Sequence, residues 1–126
     1  MKAVAEGSAR GQFPVELRSP DWDLTEGVRQ YALDHIAAKL EKHADHIQSV
    51  IIRFEDVNGS KGGGDKTCRI EVLLAHMRPL VVHENHHDLR AAMDLAADRV
   101  ERSVGREIER MRDRPRDGDR RSVRRL

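Results

Sequence analysis

Four arginines in the C-terminal part of the chain recur at intervals of three or four residues: Arg99, Arg102, Arg106 and Arg110. In an α-helix this spacing stacks side chains in one line along the surface. The planar, permanently charged guanidinium group suits bidentate hydrogen bonding to phosphate. We therefore interpret this line, called the arginine ridge below, as a candidate contact to the phosphate backbone of a nucleic acid. A solvated helix face is the alternative.

Charge is distributed unevenly along the chain, although the formal net charge is only +1. Residues 1–86 contain 11 Lys and Arg against 13 Asp and Glu, whereas residues 87–126 contain 12 Arg against 9 Asp and Glu. This skew favours a nucleic-acid partner at the C-terminal part, with a charged, solvated tail as the alternative. Because aromatic residues make up only 3% of the chain, we expect contacts to RNA backbone and shape rather than base stacking.

A glycine-rich segment, residues 59–67, resembles a phosphate-binding loop but lacks two of its requirements. Asp65 follows the last glycine, so a carboxylate would meet the phosphate, and no predicted helix follows to supply N–H groups. The overlapping segment 56–67 also differs from a calcium loop, since Lys61 occupies the glycine position and Thr67 the position of the bidentate glutamate. We interpret the segment as a hairpin turn.

The histidines and the single cysteine are weaker candidates for chemistry. His83, His86 and His87 lie close together in the sequence, but zinc needs three or four supported ligands, so solvated or packed histidines are preferred over a metal-dependent regulator. Cys68 falls on the apolar side of a predicted strand and is interpreted as a buried, unreactive thiol. No nucleophile–base pair or pair of carboxylates stands out. We therefore predict no enzymatic activity and no cofactor.

The hydrophobic pattern predicts one α+β domain in the order β-α-β-β-β-α. Strand segments alternate apolar and polar residues, and helical segments repeat apolar residues every three or four positions. The predicted elements are a strand at 12–18, a helix from Thr25 to about Lys42, strands at 47–57, 67–76 and 80–84, and a helix at 88–111. A right-handed crossover makes the first two strands parallel, so we expect a four-stranded mixed sheet with two helices packed on one face.

The two ends of the chain show neither the alternation typical of a strand nor the apolar repeat typical of a helix. We predict a disordered leader at 1–11 and a basic disordered tail at 113–126, which leaves 12–112 as the folded domain. No apolar run approaches the ~20 residues of a membrane span, and residues 1–18 contain no apolar stretch typical of a signal peptide. One cysteine forms no intramolecular disulfide, which suits a reducing compartment. We therefore predict a cytoplasmic protein with no membrane partner.

Three segments resemble the bacterial family of ribosome hibernation-promoting factors and ribosome-associated inhibitors, once described as sigma-54 modulation proteins. They are Leu24–Ala32 at the start of the first helix, the hairpin formed by Asp56–Gly59 and Asp65–Val72, and His87–Asp94 at the start of the second helix. The hairpin is the most specific and is similar to that of a short-form branch. The resemblance covers most of the predicted domain.

The resemblance implies a ribosome-binding domain that occupies the mRNA and tRNA groove of the small subunit and inhibits translation during stress or stationary phase. In that family, basic residues of the two helices face 16S ribosomal RNA. The positions that correspond here are Arg29, Arg90, Arg99, Arg102, Arg106 and Arg110. Lys39 and Lys42 are added from this sequence itself. The implied partner is the small subunit or the 70S ribosome, with the protein as a monomer or weak homodimer and no small-molecule substrate.

An alternative is a protein–protein interaction or regulatory module of the same fold that does not bind ribosomes. Its mixed-charge surface would bind a regulatory protein, or an exposed strand edge would pair two copies. Binding that survives high salt and nuclease treatment would favour this alternative, because phosphate contacts weaken as salt rises.

Overall fold

The computed structural model describes residues 4–7, 13–21, 23–56 and 66–113 and shows a five-stranded sheet with two helices on one face. The strands are β1 (Val4–Gly7), β2 (Pro14–Arg18), β3 (Ile47–Asp56), β4 (Lys66–Leu74) and β5 (Leu80–His86). The helices are α1 (Glu26–Leu40), which continues into a 3-10 helix (Glu41–His46), and α2 (Leu89–Asp113). The strand order is β1-β2-β3-β4-β5; β2 and β3 are parallel, and the other neighbouring pairs are antiparallel.

The predicted α+β fold is confirmed, and the sheet has one strand more than the four predicted. Those four correspond to β2–β5, with α1 as the crossover between the parallel strands. β1 lies within the predicted disordered leader; residues 4–7 instead pair with β2, with Val4 opposite Leu17. Pairing there satisfies N–H and C=O groups that the outer edge of β2 would otherwise expose. The rest of the leader, and the predicted tail after Asp113, lie outside the described residues.

α1 begins where the sequence predicts it. The Thr25 hydroxyl accepts a hydrogen bond from the Val28 N–H at 3.1 Å, which satisfies one of the amide groups that a helix leaves unpaired in its first turn. Glu26 adds a negative charge favourable to the helix dipole at that end. The regular helix ends at Leu40 rather than at Lys42, and the 3-10 turns carry the chain directly into β3.

The hydrophobic core lies between the sheet and the helices, as the apolar stripes predict. Alternate strand residues and one face of each helix are buried together, among them Val15, Leu17, Ile36, Leu40, Ile52, Phe54, Ile70, Val72, Met93, Val100 and Val104. Cys68 is buried and its sulfur lies 3.8 Å from the Met93 sulfur. Burial raises the pKa of the Cys68 thiol, so it stays protonated and unreactive, as predicted from its position on the strand.

Candidate nucleic-acid interface

All eight predicted RNA-binding residues lie on the helix layer, the side of the sheet that α1 and α2 cover. They are Arg29 and Lys39 on α1, Lys42 on the 3-10 helix, and Arg90, Arg99, Arg102, Arg106 and Arg110 on α2. The five α2 arginines and Lys42 are exposed, and the other two are partly buried. Because α2 turns its apolar stripe to the sheet, the arginine ridge faces outward. The structure therefore brings the predicted residues to one side of the molecule.

Acidic residues of α2 form ion pairs with α1 and the 3-10 helix. Lys39 Nζ bonds the Asp98 carboxylate. One Glu101 oxygen, Oε2, lies 3.1 Å from Lys42 Nζ and 3.2 Å from His43 Nε2. We call these ion pairs, together with the contacts of Asp94 given in the next paragraph, the interhelix seam. Two predicted RNA-binding residues, Lys39 and Lys42, are thus already paired with carboxylates.

The other end of the interhelix seam centres on Asp94. The Tyr31 hydroxyl donates a hydrogen bond to Asp94 Oδ1, which raises the pKa of Tyr31. His35 Nε2 lies 3.3 Å from the same oxygen without hydrogen-bond geometry, and its ring stacks on Tyr31 with the centroids 5.2 Å apart. The Arg90 guanidinium carbon lies 4.3 Å from the centroid of the Tyr31 ring. This cation–π contact positions Arg90 but leaves its charge in place.

Members of the arginine ridge differ in their partners. Arg99 Nη1 lies 2.9 Å from a Glu84 oxygen on β5, and Arg110 pairs with Glu107 one turn earlier on α2. Arg106 donates a long hydrogen bond, 3.4 Å, to the Ser103 hydroxyl. Within the described part of the chain, Arg102 and Arg106 form no ion pair. They can therefore bind a phosphate without first breaking an ion pair, although the charge of Arg102 also interacts with nearby Asp98.

The interhelix seam lowers the pKa of two of its carboxyl groups. The hydrogen bond from Lys39 holds the pKa of Asp98 below its usual value. Burial raises the pKa of Glu101, but the hydrogen bonds and charges of Lys42 and His43 outweigh it, so the net pKa is lowered. Both carboxylates are therefore more stable when ionised in the folded protein than in the unfolded chain.

We expect stability to fall on acidification because of the interhelix seam. A depressed carboxyl pKa contributes stability above the unfolded value, about 4, and that contribution is lost as pH falls through the folded value. Urea denaturation between about pH 3 and pH 7 measures the effect. The double variant Asp98→Asn with Glu101→Gln should be less stable than the wild type near neutral pH. Its free energy of unfolding should also change less with pH in the acidic range. Equal slopes in the two proteins would contradict the assignment.

The remaining sequence candidates have different outcomes. The glycine-rich turn lies outside the described residues, but the strands that flank it pair antiparallel, with Asp56 opposite Lys66. The rings of His86 and His87 stack with centroids 4.5 Å apart, while His83 lies on the other face of the sheet. Across the described residues, no three His, Cys, Asp or Glu side chains come close enough to hold a metal ion.

None of the described helices is long and apolar enough to cross a membrane.

Strands β2–β5 and the two helices form a βαβββα domain, and the eight predicted RNA-binding residues lie on its helical side. Residues 15–112 match the family described as sigma 54 modulation protein / S30EA ribosomal protein. Since this match covers most of the sequence, the chain belongs to that family, as its resemblance in three segments predicted.

The solved structures that share this fold include the following two. The N-terminal domain of Thermus thermophilus Protein Y is 27% identical, with a TM-score of 0.59 over 71% of this chain and 92% of that chain. A ribosomal subunit interface protein from Coxiella burnetii is 15% identical, with a TM-score of 0.60 over 75% of this chain and 97% of that chain. At this lower identity the likeness shows the fold alone. None of the curated proteins is significantly similar to this chain in sequence.

Proposed function

We propose that this protein is a non-enzymatic hibernation factor that binds the small ribosomal subunit, alone or within the 70S ribosome, and inhibits translation during stress or stationary phase. It occupies the groove used by mRNA and tRNA and therefore acts in the cytoplasm. Membership in a family described as S30EA ribosomal protein supports the ribosome as partner. The observation that carries the choice of surface is the pair Arg102 and Arg106: both are exposed and neither forms an ion pair with a described residue, although the charge of Arg102 also interacts with nearby Asp98.

Binding requires no covalent chemistry in this mechanism. Arginines of the ridge neutralise phosphates of 16S ribosomal RNA, and the counterions released from the RNA supply much of the driving force. Such contacts fix the position of a protein on RNA without reading its sequence. Because Met93, Val100 and Val104 anchor α2 in the core, the arginines stand on a rigid support. The bound domain then fills space that tRNA and mRNA need.

Cations that are already paired contribute less to this contact. Exposed ion pairs are worth about 0–1 kcal/mol, so Lys42, Arg99 and Arg110 can exchange a carboxylate for a phosphate at small cost. The released carboxylates remain nearby, however, and repel the same phosphate. We therefore place the main RNA contact on Arg102 and Arg106, with the other predicted residues around them.

Sucrose-gradient sedimentation of purified ribosomes with this protein, at low and at raised salt, tests the proposal. Co-migration with 30S or 70S particles that is lost as salt rises is the expected result, since each phosphate contact contributes roughly −0.7 to −0.9 to the slope of log K against log salt. Protein that stays at the top of the gradient at low salt would overturn the proposal. In that case the same fold serves a protein–protein or regulatory role.

A further inference from the structure

Two rows of side chains, most of them charged or titratable, cross the open face of the sheet, the face opposite the helices. The first, the cation row, consists of residues that stand directly opposite one another on β2, β3, β4 and β5: Arg18, Arg53, Arg69 and His83. The second, the acid row, is parallel to the first and is displaced from it by two residues on every strand: Glu16, Ile51, Glu71 and Val81. None of these eight side chains is buried.

The cation row is unfavourable for an isolated sheet. Like charges directly opposite on neighbouring strands repel, whereas opposite charges at such positions stabilise a sheet. Arg18 and Arg53 relieve the repulsion by turning to glutamates of their own strands, Glu16 and Glu55. Arg69, in the middle of the row, is exposed and forms no ion pair with any other described residue. A surface that placed carboxylates over Arg69 would remove this cost.

The charge balance of the open face indicates what kind of surface fits it. Its arginines are matched in number by Glu16, Glu55 and Glu71, so the uniformly negative backbone of a nucleic acid would meet repulsion as often as attraction. A complementary surface must instead alternate acid and base at the spacing of the rows. The open face is itself such a surface. When two copies meet about a two-fold axis that runs between the rows, the cation row of each faces the acid row of the other.

We propose that the open face is a homodimer interface in which each cation row lies on the acid row of a second copy. Arg69 then faces Glu71 of the second copy, and Arg18 faces its Glu16. Arg53 covers the apolar Ile51 of the second copy. Val81, which is 41% exposed and is one of the large exposed hydrophobic residues of the described chain, contributes apolar area. The helix layer stays free on both outer sides, so this interface is independent of the proposed ribosome contact.

The expected dimer is weak. Four strands spaced about 4.8 Å apart, each contributing roughly five residues, offer an area near the lower limit for specific interfaces. Facing sheets pack about 10 Å apart, a gap that arginine and glutamate side chains can fill. We therefore expect dissociation constants in the micromolar range or weaker, and association that decreases as salt rises.

Sedimentation equilibrium of the purified full chain over a series of concentrations tests this interface. The wild type should associate, and Arg69→Glu should weaken association by at least about tenfold because glutamate then faces Glu71 of the second copy twice per dimer. Combining Arg69→Glu with Glu71→Arg restores opposite charges across the axis and should restore association. Arg112→Glu makes the same charge change at the exposed end of α2 and is the matched control, with thermal melting by circular dichroism confirming the fold of each variant.

Three results would overturn the interface: a wild type that stays monomeric at every concentration, Arg69→Glu that associates normally, or a charge swap that fails to rescue association. A monomer that captures a different protein through Arg69 would also overturn it. Because no ribosomes are present in the sedimentation-equilibrium samples, the outcome is independent of the result of the sucrose-gradient experiment. Arg69→Glu should still co-sediment with ribosomes if the helix layer binds them.

Discussion

Arg102→Glu combined with Arg106→Glu is expected to abolish co-sedimentation of the protein with 30S subunits. Both side chains are exposed, and neither forms an ion pair within the described part of the chain. Reversing both charges replaces attraction to phosphate with repulsion, and it adds acids next to Asp98, which already lies beside Arg102. The loss should be complete at the salt concentration at which the wild type binds, because electrostatic contacts dominate affinity for RNA backbone.

A matched variant separates the effect of this surface from that of net charge. Arg53→Glu combined with Arg69→Glu changes the total charge by the same amount, but on the open face of the sheet. This variant should retain ribosome binding while losing self-association. If both double variants lose ribosome binding equally, total charge rather than the arginine ridge determines it. If the ridge variant binds as the wild type does, the ridge is not the contact surface.

Phe54→Ala is expected to lower the free energy of unfolding by about 3–5 kcal/mol, the usual cost of removing a buried phenylalanine. Phe54 is only 1% exposed and lies opposite Cys68 on β4, on the side of the sheet that faces the helices. Truncation leaves a cavity at the centre of the core. Since small domains are stable by only about 5–15 kcal/mol, a large share of the stability would be lost. Urea denaturation with linear extrapolation measures the change.

Ile51→Ala is the control for this core substitution. Ile51 lies on the same strand but on the open face, where its side chain is only partly buried. Its truncation should therefore cost clearly less than that of Phe54. Equal losses for the two variants would contradict the assignment of the strand faces. At temperatures where Phe54→Ala remains folded, its ribosome binding should match that of the wild type, because the helix layer is unchanged.

Periodicity predicted most of the fold, because burial on one face repeats regularly along each long element. The apolar stripe of α2 and the alternation of β3 and β4 required no tertiary information. β1 was not predicted because Val4–Gly7 is too short to show an alternation of apolar and polar residues. Its pairing depends on the exposed edge of β2, which exists only once the sheet has formed.

For the candidate site, the exposure of the arginines could be predicted from the sequence, but the ion-pair partners of the charged residues could not. The sequence predicted a line of arginines along the helix surface, and all four are exposed in the structure. The interhelix seam could have been suspected from matched spacing, since its acids and bases repeat at the same intervals of four and three: Asp94, Asp98 and Glu101 on α2, and His35, Lys39 and Lys42 before them. Identical spacing becomes meaningful only when the two helices are known to run side by side in the same direction. That is a property of the crossover topology rather than of either helix.

The contribution of α2 to the core has a consequence for biosynthesis. This helix is the last element of the described chain, and it supplies seven buried residues that cover the sheet: Ala92, Met93, Ala96, Ala97, Val100, Val104 and Ile108. A nascent chain that has extruded only β1 to β5 therefore leaves one face of its sheet partly uncovered and cannot complete its core. The domain can therefore complete its core only after α2 has emerged from the exit tunnel.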